Sequence, residues 1–169
     1  VDMISFTGST ATGTRIMTAA AATIKKVFLE LGGKSALVAL DDADIDAVVT
    51  SAAFATTTHA GQGCANTTRL LLPRNKYRDG VAALAETLKT WPYGDPTDSS
   101  VLMGPLIREE QRQRVLGYIR KGVEEGATIT VGGGIPAHLS TGYYVEPTVL
   151  ADVDPDSTVA QDEIFGPVL

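Results

Sequence analysis

Hydrophobic and polar positions along the chain alternate between a two-residue and a three-to-four-residue period, which indicates strands alternating with helices. The longest helical pattern, Arg108–Glu125, repeats Val115, Ile119 and Val123 every four residues. Extended segments are predicted at Met3–Phe6, Lys25–Leu31, Ser35–Leu40, Arg69–Pro73, Thr128–Val131 and Tyr143–Leu150, and further helices run to Ala22 and over Ile45–Thr57 and Asn75–Lys89. The order predicts the α/β class, with a mostly parallel sheet and flanking helices.

Composition narrows the class of protein further. The chain has 169 residues, is 44% hydrophobic and 20% charged, and carries a net charge of −6. These values are typical of a globular domain and not of a disordered chain. The acidic balance argues against nucleic acid or an acidic membrane as partner. The longest apolar runs, such as Ser35–Leu40, are far shorter than the roughly 20 residues that span a bilayer.

Cysteine and histidine usage points to a reducing compartment without structural metal. Cys64 is the single cysteine, so no disulfide can form within the chain. A reducing compartment, the cytoplasm, is therefore expected. His59 and His138 lie far apart in sequence, and no group of residues has the spacing of a zinc site.

The segment LELGGKS at Leu29–Ser35 ends like a phosphate-binding P-loop, but the glycine that such a loop needs five residues before its Gly-Lys pair is replaced by Phe28. The P-loop interpretation is therefore rejected. Glu30 leaves two alternatives open. In a buried strand, desolvation would raise its pKa toward that of a general base. On an edge strand, alternation would place it on the exposed side. For Lys34, a structural ion pair or an exposed charge is expected.

Two further segments have both a chemical and a purely structural interpretation. Cys64, in AGQGCANTTR, is either a small buried hydrophobe or a nucleophile. If a helix begins after it, the positive end of the helix dipole would favour the reactive thiolate. The segment Gly8–Gly13 follows a strand and opens a helix. Its small residues fit either a phosphate at free helix amides or a capped helix with a close-packed glycine.

Taken in order, these segments resemble the NAD(P)-dependent aldehyde dehydrogenase superfamily. The resemblance rests on FTGS at Phe6–Ser9, LELGGKS, GQGC at Gly61–Cys64 and EIFGPVL at Glu163–Leu169, supported by GDP, GPLI and EPT. It covers essentially the whole chain. It implies an aldehyde dehydrogenase-like fold, in which residues 1–31 are the C-terminal part of the NAD(P)-binding domain and residues 32–169 an incomplete catalytic domain. Both termini interrupt expected strands, and family members are longer, so a fragment truncated at both ends is expected.

The resemblance also implies a mechanism. Cys64 would attack an aldehyde carbonyl to give a thiohemiacetal, and hydride transfer to NAD or NADP would leave a thioester. Glu30 would activate the water that hydrolyses it to a carboxylic acid. The implied cofactor contacts are Gly8 and Ser9 at the pyrophosphate, Gly13 for close helix packing, Leu31 and Gly32 lining the nicotinamide pocket through backbone, Glu163 at the nicotinamide ribose and Phe165 near the nicotinamide ring.

The chain departs from the family pattern in ways that leave alternatives open. Asn66 stands two residues after the candidate nucleophile, where the family often has alanine. The asparagine that joins the nucleophile's backbone amide in the oxyanion hole has no counterpart, so the chain alone is expected to be inactive. The full-length protein is expected to be a homo-oligomer acting on a small-molecule aldehyde. The alternatives are a non-catalytic relative with a structural or binding role, and a relative that passes the acyl group to coenzyme A, which Glu30 disfavours.

Overall fold

The computed structural model describes all residues, Val1–Leu169. They form two compact units, Val1–Gly33 and Lys34–Leu169. The division falls two residues beyond the boundary expected after Leu31. The assignment of the two parts to a cofactor-binding and a catalytic domain remains a prediction.

The first unit is a strand–helix–strand motif. Strand β1 (Met3–Gly8) pairs in parallel with β2 (Lys26–Leu31), and helix α1 (Thr10–Ala21) connects them. The helix begins where it does because the hydroxyl of Ser9 accepts a hydrogen bond from the Thr12 amide at 3.3 Å, which satisfies one free donor of the first turn. At Gly13, an added Cβ would lie 2.9 Å from Leu31 Cδ2. A glycine there lets α1 pack closely on β2.

The second unit contains the remaining strands and helices. Its elements are β3 (Ser35–Val38), α2 (Ile45–Thr57), a 3-10 segment (Thr58–Gly61), β4 (Thr67–Leu71), α3 (Tyr77–Lys89), α4 (Glu109–Glu124), β5 (Thr128–Val131), β6 (Val149–Ala151) and α5 (Thr158–Gln161). Strands β3 and β4 are parallel, whereas β5 and β6 are antiparallel. The α/β class is confirmed, and two of the three strand pairs are parallel.

The extended segment expected at Tyr143–Leu150 is shorter than predicted. Only Val149–Ala151 forms a strand, β6. The preceding main chain bonds to separate partners, because Leu106 N donates to Tyr143 O and Glu146 N donates to Gly134 O. Pro147 has no N–H to donate. The segment is extended in places but does not form a continuous ladder.

Two apolar clusters hold the second unit together. In one, Val115 and Ile119 of α4 pack with residues that include Val145 and Ile164. In the other, α2 packs on α3 and β6 through Val49, Ala52, Ala53, Leu84, Leu88 and Val149. Both alanines are fully buried, which lets the two helices approach closely. None of the helices combines the length and the hydrophobicity that a membrane-spanning helix requires.

Candidate active site around Cys64

Cys64 lies on an exposed turn between the 3-10 segment and β4. No helix begins after it, since the next element is strand β4 at Thr67. The condition under which a helix dipole would act on Cys64 is therefore not met. The alternative of a small buried hydrophobe is also wrong, because the side chain is exposed.

The backbone immediately before this turn is strained. His59, Ala60 and Gly61 have φ values of 52°, 55° and 73°, three left-handed residues in succession. For the two non-glycine residues this conformation costs about 1–2 kcal/mol each. At Gly61 an added Cβ would overlap the main chain of Gly166. The chain before Cys64 thus packs directly, backbone against backbone, on the segment that contains Gly166.

Side-chain amides supply the hydrogen bonds that secondary structure does not provide here. Asn66 Nδ2 donates to Thr58 O at 3.2 Å. Gln62 Nε2 donates to His59 O at 3.1 Å, and Gln62 Oε1 accepts from the Ile107 amide at 3.1 Å. The segment Thr58–Asn66, which we call the cysteine loop, is therefore fixed by its own amide side chains and by the chain near Ile107.

The Glu163–Phe165 segment is held by helix α4. Gln111 Nε2 donates to Phe165 O at 2.6 Å, and Arg114 Nη2 donates to Glu163 O at 2.9 Å. Phe165 is exposed and has φ 61°, a left-handed conformation that is unusual for a bulky residue. Since Gly166 follows directly and meets Gly61, the second unit brings the cysteine loop and the Glu163–Phe165 segment together.

The Glu163 side chain has an unused acceptor. Its Oε1 atom is buried and has no hydrogen-bond partner in the chain. A buried carboxylate oxygen without a donor is costly. A hydroxyl-bearing ligand would supply the missing donor, which fits a ribose.

Glu163, Asp162 and Arg69 all act electrostatically on Lys34. Burial, and secondarily the positive charge of Arg69, lower the pKa of Lys34 from 10.5 to about 8, against the opposing influence of Asp162 and Glu163. Lys34 is half-buried and lies within 4.0 Å of no carboxylate. The expectation of an ion pair or an exposed charge at Lys34 is therefore wrong.

In the first unit, the start of α1 offers free donors. Gly8 ends β1, and Ser9 is the N-cap, exposed together with the first turn. Amides at the first positions of a helix have no partner within it. The segment therefore combines a capped, close-packed helix with donors suited to an anionic group.

Glu30 is exposed on β2, between the half-buried Leu29 and Leu31. Within this unit the buried-strand interpretation is wrong and the exposed-side interpretation is right, because alternation turns the leucines toward α1. Gly32 follows the strand and is half-buried.

Sequence reasoning missed the side chains that hold the main chain of the site. Gln62 lies within the GQGC motif, but its hydrogen bond from the Ile107 amide joins residues far apart in sequence. Gln111 and Arg114 are three residues apart and therefore share one face of α4. That spacing was a usable signal, although their backbone partners were not visible from it.

Comparisons with known proteins agree on one family. The aldehyde dehydrogenase family profile matches residues 1–169. A betaine aldehyde dehydrogenase of Rhizobium etli is 45% identical over all of this chain, which covers 35% of that protein. The structure of a Mycobacterium tuberculosis aldehyde dehydrogenase complexed with NAD+ is 50% identical, with a TM-score of 0.97 over the whole chain and 35% of the neighbour. A Staphylococcus aureus betaine aldehyde dehydrogenase in complex with NAD+ is 38% identical, with a TM-score of 0.97, and 34% of it is covered.

The α/β fold of this chain matches NAD+-bound aldehyde dehydrogenase structures over the whole length of the chain. The chain belongs to the aldehyde dehydrogenase family. It spans about a third of the length of the relatives that it matches, 35% for the Rhizobium etli enzyme.

Proposed function

We propose that the full-length protein carrying these residues oxidises an aldehyde to a carboxylic acid with NAD(P)+ through a thioester at Cys64. The observation that carries this proposal is the position of Cys64. Its thiol is exposed on a loop that is strained, tethered by amide side chains and packed on the segment bearing Glu163. A reactive thiol needs such access together with a fixed direction.

In the proposed mechanism, the Cys64 thiolate adds to the aldehyde carbonyl, forming a C–S bond and an oxyanion. The N–H of Cys64 makes no hydrogen bond within the chain and is free to donate to that oxyanion. When bound, the nicotinamide supplies the hydride acceptor, and the acyl group remains on Cys64 as a thioester. Glu30 then takes a proton from water as the water oxygen attacks the acyl carbon. The products are a free carboxylic acid and the regenerated thiolate.

The residues present fit the cofactor at two places. The free first-turn amides of α1, next to Gly8 and the Ser9 cap, suit a pyrophosphate. The unpartnered Glu163 Oε1 suits a ribose hydroxyl. We assign Gly13 to the close packing of α1, Leu31 and Gly32 to the backbone lining of the nicotinamide pocket, and Phe165 to the neighbourhood of the ring.

The proposal extends to the cellular setting. We expect a homo-oligomer in the reducing cytoplasm that acts on a small-molecule aldehyde. Betaine aldehyde belongs in a substrate panel because several relatives carry its name.

The test uses the full-length protein, the 169-residue chain alone, an aldehyde panel, and both NAD+ and NADP+. We expect reduced cofactor and free acid from the full-length protein, no turnover from the chain alone, none from Cys64→Ala, and a stalled thioester in Glu30→Gln. Acyl-coenzyme A as the product would favour the acyl-transfer alternative. Unchanged turnover in Cys64→Ala would refute the mechanism.

A further inference from the structure

Asn66 is bonded to both sides of the turn that carries Cys64. Its amide N–H donates to Gly63 O at 3.2 Å, which closes the four-residue turn. Its side-chain Nδ2 donates to Thr58 O at 3.2 Å, at the end of α2. One residue therefore closes two nested loops, and Cys64 lies within both.

The carboxamide of Asn66 also covers the turn. At Gly63, an added Cβ would lie 2.7 Å from Asn66 Oδ1 and 3.1 Å from its Cγ. The side chain thus lies against the Gly63 α-carbon while its nitrogen reaches Thr58. A smaller side chain at position 66 would lose both the contact and the hydrogen bond.

The turn has little else to fix it. Cys64 and Ala65 are both exposed, and neither takes part in a hydrogen bond within the chain. The direction of the thiol is therefore set by the neighbours of the turn. On the N-terminal side that neighbour is Gly61, packed on Gly166. On the C-terminal side it is Asn66.

We propose that Asn66 is a positioning residue for Cys64, whose carboxamide ties the reactive turn to the end of α2. This inference rests on the proposed role of Cys64 as nucleophile. The tether should act on chemistry and not on cofactor binding, because the hydrogen bonds of Asn66 and its contact with Gly63 all involve residues 58–66 and none of the residues assigned to the cofactor. Loss of the tether should therefore lower kcat and leave the KM for cofactor unchanged.

The experiment compares Asn66→Ala and Asn66→Asp with the wild type and with Thr58→Ala in the full-length protein. Asn66→Asp keeps the shape of the side chain but removes the donor to Thr58 O. Thr58→Ala is the matched control, because it removes the Thr58 hydroxyl bond to Phe54 O at 2.7 Å and keeps the carbonyl that Asn66 binds. Turnover, cofactor KM and melting temperature are measured for each variant.

For both Asn66 variants we expect a fall in kcat of roughly 10- to 100-fold, as a displaced reacting group produces. The KM for cofactor should stay within about twofold of the wild-type value. The melting temperatures of both variants should be close to that of Thr58→Ala. Thr58→Ala should keep kcat near the wild-type value.

Three results would overturn the inference: wild-type kcat in Asn66→Asp, equal kcat in Asn66→Ala and Thr58→Ala, or a loss of activity that only follows the fraction of unfolded protein. A Cys64→Ala variant run in parallel separates the two proposals. If Cys64→Ala stays active, the nucleophile assignment fails. If Cys64→Ala is inactive while the Asn66 variants match the control, only the positioning role fails.

Discussion

The segment Gly8–Gly13 leaves backbone N–H donors free, and the cysteine loop leaves the Cys64 thiol free. The two segments are stabilised in opposite ways. At the start of α1, two local hydrogen bonds between Thr12 and Ser9 and one close-packed glycine define the geometry. The cysteine loop needs left-handed backbone and side-chain amides, and it contacts residues as distant as Ile107 and Gly166. A site at a helix end needs no strained backbone and no distant contacts. A thiol held in one direction on a turn needs support from several elements.

The largest effect should come from Gly61→Ala. The new Cβ would overlap the Gly166 main chain, and φ 73° is unfavourable for alanine. Because backbone cannot move aside as a side chain can, we expect unfolding free energy to fall by about 3 kcal/mol or more. Denaturant unfolding measures the change. Gly33→Ala is the matched control, because no atom lies within 4 Å of its added Cβ, and it should be near neutral. Equal stability of the two variants would show that the loop tolerates displacement.

Lys34→Met should produce the next largest change, with a defined pH dependence. The Lys34 pKa is about 8 in the folded chain against an ordinary 10.5. Between those values the unfolded chain holds a proton that the folded chain has released, so wild-type stability rises with pH across that window. The increase in unfolding free energy caused by Lys34→Met should therefore be greatest below pH 8 and vanish above about pH 10.5.

Unfolding titrations of wild type and Lys34→Met at pH 7, 9 and 10.5 give this difference directly. Arg69 contributes to the lowered Lys34 pKa, so Arg69→Met should reduce the gain. A gain that is constant with pH would contradict the buried-charge explanation.

Glu163→Gln should weaken cofactor binding in the full-length protein. The amide keeps one oxygen acceptor but loses the charge that strengthens hydrogen bonds from hydroxyl groups. We expect the KM for cofactor to rise about 10-fold, equivalent to about 1.4 kcal/mol. Steady-state kinetics with varied cofactor measure it. Asp162→Asn is the control, since Asp162 is exposed; an equal rise in both variants would argue for a general charge effect.

Ser9→Ala should have the smallest effect. It removes the hydrogen bonds that the Ser9 hydroxyl makes with the amide and the hydroxyl of Thr12, and it leaves the rest of α1 in place. Loss of such a cap costs about 1 kcal/mol, and we expect only a small change in kcat. Thr14→Ala, on the exposed part of the same helix, is the comparison. A collapse of activity in Ser9→Ala alone would mean that the hydroxyl itself binds the ligand, and the contrast between the two regions would weaken.

The sequence predicted those features whose causes are local. The bounds of α2, Ile45–Thr57, follow from apolar spacing behind the Asp44 cap, and the structure has the same bounds. The start of α1 was likewise visible from its capping residues. The environment of Cys64 was not, because it depends on contacts between Gly61 and Gly166 and between Gln62 and Ile107. The burial of Lys34 was missed for the same reason, since its neighbour Arg69 is distant in sequence.

Helix α4 donates hydrogen bonds to the carbonyl oxygens of all three residues of the Glu163–Phe165 segment, and only the Ile164 side chain packs in the core cluster that contains Val115 and Ile119. The path of the segment therefore depends on its main chain and on Ile164, and not on the side chains at positions 163 and 165. Substitutions at positions 163 and 165 would therefore change the proposed cofactor contacts without removing the main-chain hydrogen bonds that hold the segment. The side chains at these two positions can therefore be exchanged in protein engineering to vary ligand preference while the supporting fold stays unchanged.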